Sequence, residues 1–201
     1  MLDVSPELAR NLLFVLSGRV RHDTNVLTES ARLRLHFERV ATVDGLTGLR
    51  NRRWLDGAFS RQLTRTLRTG RTASLLMIDV DGFKQINDSH GHLIGDAVLC
   101  RVARVLAERL RPQDLLARYA GDEFLLMLPE CDINEATALA DRLRQSVAAA
   151  AEDPGHEPLP ATTVSIGVAT ARLSDSLPAL IGLADTALYR AKQAGRNRIS
   201  R

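Results

Sequence analysis

Ala73-Ser-Leu-Leu-Met-Ile-Asp-Val-Asp81 is the stretch on which the fold turns. Its first eight residues are a short, nearly continuous apolar run of strand length, as expected of a strand covered on both faces, and the run closes on two carboxylates, Asp79 and Asp81. Upstream, Trp54, Leu55, Phe59, Leu63 and Leu67 recur at helical spacing until Gly70 stops the pattern. Downstream, a Gly- and Asp-rich loop leads to a helix expected from about Ile94 to Leu110. Leu115 to Tyr119 and Phe124 to Leu128 then bracket the turn Ala120-Gly121-Asp122, which predicts a hairpin. A helix over Ile133 to Ala150, a loop with Pro154, Gly155, Pro158 and Pro160, a strand over Thr162 to Thr170 and a helix over Leu177 to Ala194 complete an α/β order. Residues 1–40 precede this body as a helical arm, with Pro6 at a helix start followed by Leu8, Leu12, Leu13, Val15, Leu16 and Val20. Setting Leu13, Val20 and Leu27 at one heptad position puts Leu16, Asp23, Ser30 and Phe37 at the other, a poor coiled-coil seam. Packing on a neighbouring domain and dimerisation both fit such an arm.

The 201 residues, 45% hydrophobic and 25% charged, suit one good-sized domain with an extension and are too few for a large multidomain enzyme. Two cysteines, Cys100 and Cys131, make neither a disulfide framework nor a cysteine zinc site. No apolar run approaches the roughly 20 residues of a membrane span, so a soluble, cytoplasmic chain is expected. The net charge is +3, and only Lys84 and Lys192 among the 27 basic residues are lysines. Acidic residues are interleaved with the arginines, aromatics are 4%, and no nucleic-acid-binding motif stands out, so nucleic acid is not the expected partner. Arginine also suits phosphates on small ligands, because its planar fork bonds two oxygens at once.

Asp79 and Asp81 share a face if the strand is regular, and Asp122 and Glu123 occupy the hairpin tip, so carboxylates from two loops can converge. Hard oxygen ligands of this kind suit Mg²⁺, which keeps water and substrate phosphate oxygens in its octahedron. Taken alone, such acids are more often ordinary solvated loop residues. Phe83-Lys84 and the segment Asn87 to Asp96 add an amide, a cation and another acid among permissive glycines. There an Asn amide can pair with a purine edge, and Asp96 can accept from guanine N1 and its exocyclic amine. His90 and His92 could form a transition-metal pair, but no third nitrogen or sulfur ligand is near in sequence. Neither a GxxxxGK[ST] loop nor a GxGxxG turn is present, so phosphates must be held otherwise.

Seven ordered segments resemble the GGDEF-domain diguanylate cyclases: Asp44 to Arg53 (DGLTGLRNRR), Asp79 to Asp88 (DVDGFKQIND), Gly91-His92 with Gly95-Asp96, Arg118 to Phe124 (RYAGDEF), Val164 to Val168 (VSIGV), Ala184 to Lys192 (ADTALYRAK) and Gly195-Arg-Asn197. The resemblance implies a fold like the palm of nucleotide cyclases and polymerases, a mainly antiparallel central sheet flanked by helices, in a domain over residues 41–201. It implies condensation of two GTP into cyclic di-GMP and two pyrophosphates, with one GTP on each domain of a homodimer. On that analogy Asp79 and Asp122, with the Val80 carbonyl, hold two Mg²⁺, Mn²⁺ being an alternative ion. Asn87 and Asp96 read guanine. Lys192 and Arg196 hold the terminal phosphates with backbone N–H groups near Phe83 and Lys84, Gly121 lies against the substrate, and Glu123 assists the metals or deprotonates the attacking 3′-hydroxyl. The arm looks like the stalk through which an upstream sensory domain sets the pairing of such domains. Arg111-Pro-Gln-Asp114, separated from Ala120 by five residues, resembles the family's RxxD product-inhibition site, with Arg142 as a further basic ligand.

The chain departs from the family in one place, carrying Ala120 where the signature usually has its first glycine. Were φ positive there, alanine would cost about 1 kcal/mol. Retained activity is the expectation, and a catalytically weak module that binds GTP or cyclic di-GMP is the alternative. Hydrolysis of cyclic di-GMP is not expected.

Overall fold

A computed structural model describes residues 41–150, 159–172 and 175–201. The arm expected over residues 1–40 lies outside them. Among the described residues the order is β1 (Arg50–Asn51), α1 (Arg52–Arg68), β2 (Ala73–Val80), α2 (Phe83–His90), α3 (His92–Ala107), β3 (Leu115–Ala120), β4 (Glu123–Pro129), α4 (Ile133–Ala150), β5 (Val164–Thr170), α5 (Leu177–Gln193) and β6 (Ile199–Ser200). The sheet order is β1-β3-β4-β2-β5-β6. Its inner pairs, β3 with β4, β4 with β2 and β2 with β5, are antiparallel, and the two-residue edge strands are parallel.

β2 is central and buried along its whole length, which is why its sequence is apolar without alternation. Its side chains still alternate by face. Leu76, Ile78 and Val80 join Val98, Val102 and Leu106 of α3 and Ala140, Leu143 and Val147 of α4 in one core cluster. Ala73, Leu75 and Met77 join Leu55, Phe59 and Leu63 of α1 and Leu180, Ala184 and Leu188 of α5 in the other. Each fully buried Leu, Ile or Met contributes about 1.5–3 kcal/mol, so β2 anchors both layers. Parity places Asp79 on the α5 side, where Lys192 arrives. In β4 the same parity puts Leu125 and Met127 on that side, and Glu123 with them, directly opposite Asp79 in register.

Local chemistry sets the element ends. The Asn51 side chain accepts from Trp54 N at the start of α1. Asp132 and Glu135 cap one another reciprocally at the start of α4, Asp132 accepting from the Glu135 amide and Glu135 from the Asp132 amide. Ser176 caps α5, with Pro178 in its first turn.

Three sequence expectations are corrected. The segment after Asp81 is the helix α2 and not a loop, because Phe83 and Ile86 place an apolar pair one turn apart under an otherwise polar surface. The hairpin turn is only Gly121-Asp122, with Ala120 closing β3. β2 ends at Val80, so Asp81 does not continue the strand face that carries Asp79.

Candidate active site

The site is built where β2 ends beside the β3–β4 hairpin. Asp79, only 6% exposed, receives the Lys192 Nζ from the last turn of α5 at 2.7 Å from its Oδ2. The hairpin is tied to the same place by the Val80 amide, which donates to the Asp122 carbonyl at 3.3 Å. Burial pushes the Asp79 carboxyl up to about 6; the Lys192 ammonium pulls it down, and the charges of Asp122 and Glu123 push it up again. Glu123 is raised by burial as well, with Lys192 opposing and Asp122 adding to the rise. Asp79 thus lies in the field of Asp122 and Glu123, and Glu123 in that of Asp122 and Asp185, with Lys192 opposing at both and Arg52 at Glu123; a divalent cation would relieve the negative charge gathered there. Among the described residues no three acidic, His or Cys side chains form a ready chelate. Two carboxylates and a carbonyl suit an ion that keeps several water or phosphate oxygens, as Mg²⁺ does, and do not suit zinc. His90 and His92 are exposed and belong to no such group.

Beyond the strand, Gly82 enters α2 with φ 68° and no side chain caps the helix. The first amides, those of Phe83 and Lys84, are therefore left for an anion at a helix N-terminus. One turn further along, Asn87 Oδ1 is buried without a hydrogen-bond partner among the described residues. Gly95 of α3 is what lets it sit there: a β-carbon at that position would run into Asn87 Oδ1 and lie 3.3 Å from Phe83 Cζ. Gly95 is a site residue that composition alone does not reveal, although it lies inside the Gly91 to Asp96 pattern. Asp96 follows it, half-buried at the start of the same helix. An orphaned buried carbonyl oxygen, whose desolvation costs about 1–3 kcal/mol, together with a nearby carboxylate, forms an edge able to meet the amide-like face of a purine.

Gly121 occupies the hairpin tip at φ 46°, a conformation that favours glycine. Ala120 is not among the residues with positive φ, so its methyl carries no backbone strain. It is exposed and pairs with Glu123 across a β-bulge. The glycine that the turn requires is the one the chain has kept. Arg118 braces this turn, donating from Nε to the Gly121 carbonyl at 2.8 Å and from Nη1 to Asp44 Oδ1 at 3.0 Å. Burial pushes Asp44 up, but its bonds from Thr47 and Arg118 outweigh burial and hold it below the ordinary carboxylate range.

Arg196 stands in the turn after α5, exposed, with φ 60°, and Asn197 follows at φ 45°. Arg196 in this region costs about 1–2 kcal/mol, and Asn197, a residue type that enters it more readily, costs less. Asp81, expected to share a face with Asp79, instead accepts from Thr163, Ser165 and the Asn197 amide.

Arg111, Asp114 and Arg142 line a separate cavity of about 230 Å³ with Arg109, Cys131 and Glu135. Asp114 Oδ2 accepts from the Arg111 amide at 2.8 Å; burial pushes its carboxyl up and Arg111 pulls it back. Asp114 directly precedes β3, whose last residue is Ala120, so at about 3.4 Å per residue roughly 20 Å separates this cavity from the hairpin tip.

A family model described as diguanylate cyclase, GGDEF domain, matches residues 41–198. Diguanylate cyclase DgcM of Escherichia coli strain K12 is 43% identical over 173 residues, covering 86% of this chain and 41% of that protein. Response regulator PleD of Caulobacter vibrioides strain NA1000 / CB15N is 40% identical over 166 residues, covering 82% of this chain and 37% of that one. The chain thus spans about two fifths of the length of these curated relatives. Among solved structures, the coiled coil and GGDEF domain of DgcB from Caulobacter crescentus in complex with c-di-GMP aligns with a TM-score of 0.81 at 34% identity, covering 92% of this chain and 98% of that one. The active GGEEF domain of a diguanylate cyclase from Vibrio cholerae aligns at 0.69 with 34% identity, covering 75% and 95%.

Proposed function

Because the chain belongs to the GGDEF-domain family of diguanylate cyclases, we propose that it condenses two GTP into cyclic di-GMP and two pyrophosphates, working as a homodimer. The carrying observation is the meeting of Asp79 and Glu123 in register across β2 and β4, with Lys192 on Asp79 and Asp122 in the adjoining turn. Asp79, Asp122 and the Val80 carbonyl would hold the Mg²⁺ ions. When bound, these ions neutralise charge on the attacking oxygen, the transferring phosphate and the departing pyrophosphate.

The chain's own residues do the rest. Asn87 and Asp96 seat guanine, the free carbonyl oxygen of Asn87 facing a donor at last. The uncapped amides of Phe83 and Lys84 and the cations of Lys192 and Arg196 take the β- and γ-phosphates, and Gly121 lets the backbone approach the substrate without a side chain. Lys192 is released from Asp79 as the phosphates arrive. Glu123, with its carboxyl raised by burial, accepts the proton of a 3′-hydroxyl. The freed 3′-oxygen attacks the α-phosphorus of the GTP on the partner domain, the bond to pyrophosphate breaks, and the same exchange in the other direction closes the ring. Nucleophile and electrophile ride on different domains, so orientation by dimerisation supplies much of the acceleration.

The cavity of Arg111, Asp114 and Arg142 would bind the product, arginine forks on phosphate and the Asp114 carboxylate on guanine, and restrain the domains from meeting. A dimerising stalk and a sensory domain before it are proposed for residues 1–40 and beyond, the aligned DgcB structure being one with a coiled coil. Among the described residues no helix is long and apolar enough to cross a membrane.

Incubation with GTP and Mg²⁺ at several protein concentrations, with cyclic di-GMP and pyrophosphate quantified, tests the proposal. Both products in a 1:2 ratio, with specific activity rising with concentration, are expected. Bound GTP and demonstrable dimers without product would favour the nucleotide-sensing alternative.

A further inference from the structure

We propose that Asp81 is a positioning residue, whose carboxylate holds the Arg196–Asn197 turn in its left-handed conformation and so fixes where the Arg196 guanidinium meets the nucleotide phosphates. This rests on the reading of Arg196 as a phosphate ligand.

The turn is held only in part by its own chain: the Gly195 and Arg196 amides donate to the Lys192 and Ala191 carbonyls at 3.3 and 3.2 Å, and Arg198 Nε donates to the Arg196 carbonyl at 3.1 Å. Gly195, Arg196 and Asn197 have φ 114°, 60° and 45°; glycine adopts such values freely and asparagine more readily than most, whereas arginine does so at a cost. Asp81 meets the strained segment from inside: its Oδ2 accepts from the Asn197 amide at 3.0 Å. The same oxygen accepts from Thr163 Oγ1 at 2.7 Å, and Oδ1 accepts from Ser165 Oγ at 2.6 Å. Ser165 is fully buried, and the Asp81 amide donates to the Thr163 carbonyl at 2.9 Å, so the carboxylate is fixed to β5 before it reaches the turn. From outside, Arg144 Nη1 donates to Asn197 Oδ1 at 2.9 Å, while Arg144 is itself paired with Asp141. The Arg198 carbonyl accepts from Ile166 N at 2.9 Å, pinning the chain beyond the turn.

A carboxylate accepting from a backbone N–H is a charge-assisted bond, strong enough to offset a left-handed residue. With three donors on its two oxygens, Asp81 has little lone-pair capacity left for a cation. The two acids at the end of β2 therefore divide the work: Asp79 engages Lys192, and Asp81 engages the turn that carries Arg196, four residues further along.

The test is a double-mutant cycle on equilibrium GTP binding, with amide exchange at Asn197 as a readout that needs no nucleotide. Asp81→Ala is expected to weaken GTP binding by about tenfold, the scale of one hydrogen bond to a charged group. Arg196→Ala should weaken it at least as much, and the double variant should bind no worse than Arg196→Ala alone. Asn197 amide exchange should accelerate in Asp81→Ala while the β2 and β5 amides stay protected. Asp81→Asn, which keeps an acceptor, should recover part of the affinity, and it replaces Asp81→Ala in the cycle if the alanine variant does not fold. Additive losses at the two positions, or unchanged Asn197 exchange, would overturn the proposal. An Arg196→Ala variant with undiminished GTP affinity would instead overturn the phosphate reading on which it rests.

Discussion

Asp79→Asn in metal-free protein should raise stability at neutral pH, although it removes a carboxylate proposed to hold the metal ions. The folded carboxyl titrates at about 6, against 3.8 for the ordinary group. The native state therefore binds its proton more tightly than the unfolded chain does, and stability falls as pH rises between these values. Linkage gives a cost well under 1 kcal/mol at pH 4 and about 3 kcal/mol at pH 7.5. Asparagine carries no charge to desolvate, and its carbonyl oxygen can still accept from Lys192 Nζ. The variant should therefore gain about 2 kcal/mol on wild type between pH 4 and pH 7.5, which at 2–4 °C per kcal/mol for a chain of this size is a Tm difference growing by about 4–8 °C. Paired urea and thermal melts in a chelator, repeated across that range, measure it. Parallel curves for the two proteins, or a deficit in the variant that widens toward pH 7.5, would refute the argument that burial of a charged Asp79 destabilises the empty site.

Ala120→Gly should leave product formation within about twofold of wild type and cost about 0.5–1 kcal/mol of stability, because the position needs no positive φ; a tenfold gain in turnover would mean that the methyl obstructs substrate. Asn87→Ala should weaken GTP binding by about tenfold or more while costing under about 1 kcal/mol in the ligand-free protein, since it removes a buried oxygen that has no partner there; a loss of stability matching the loss of binding, seen in urea titrations, would count against the guanine reading. Arg118→Ala should cost about 1–3 kcal/mol by freeing the Gly121 carbonyl and leaving Asp44 without its cation. Asp44 titrates below its ordinary value, so its contribution is present above pH 3.8 and lost as pH falls through the folded value; acid titration of the variant should show a shallower loss. Arg111→Ala should relieve inhibition by added cyclic di-GMP without abolishing turnover, and unchanged inhibition would detach that cavity from product feedback.

The local signals were legible wherever one residue type suffices for the physics. A nearly continuous apolar octet fits a strand covered on both faces or a piece of buried helix, and its length and closing acids favour the strand; Ala73–Val80 is that strand. The helix over Ile133–Ala150 and the hairpin around Gly121 follow equally from periodicity and turn chemistry. α2 does not announce itself in the sequence, because its one apolar pair is too short a stretch for periodicity to register. The edge strands at Arg50–Asn51 and Ile199–Ser200 have two residues each and exist only because a neighbouring strand offers them hydrogen bonds.

Which acids exist, and in which motifs, the sequence determined by itself. What each acid does was decided by register and packing. Asp79 and Asp81 differ by two positions and by nothing in chemistry, yet β2 ends between them. One carboxylate stays on the α5 face, buried and paired with Lys192; the other turns to Thr163, Ser165 and the Asn197 amide. Gly95 likewise reads as one more glycine until the approach of Asn87 shows why no side chain fits there. Strand and helix periods are local, short-range properties of the chain, whereas the charge, burial and partner of a side chain depend on residues more than a hundred positions away, which only the folded structure brings within hydrogen-bond reach.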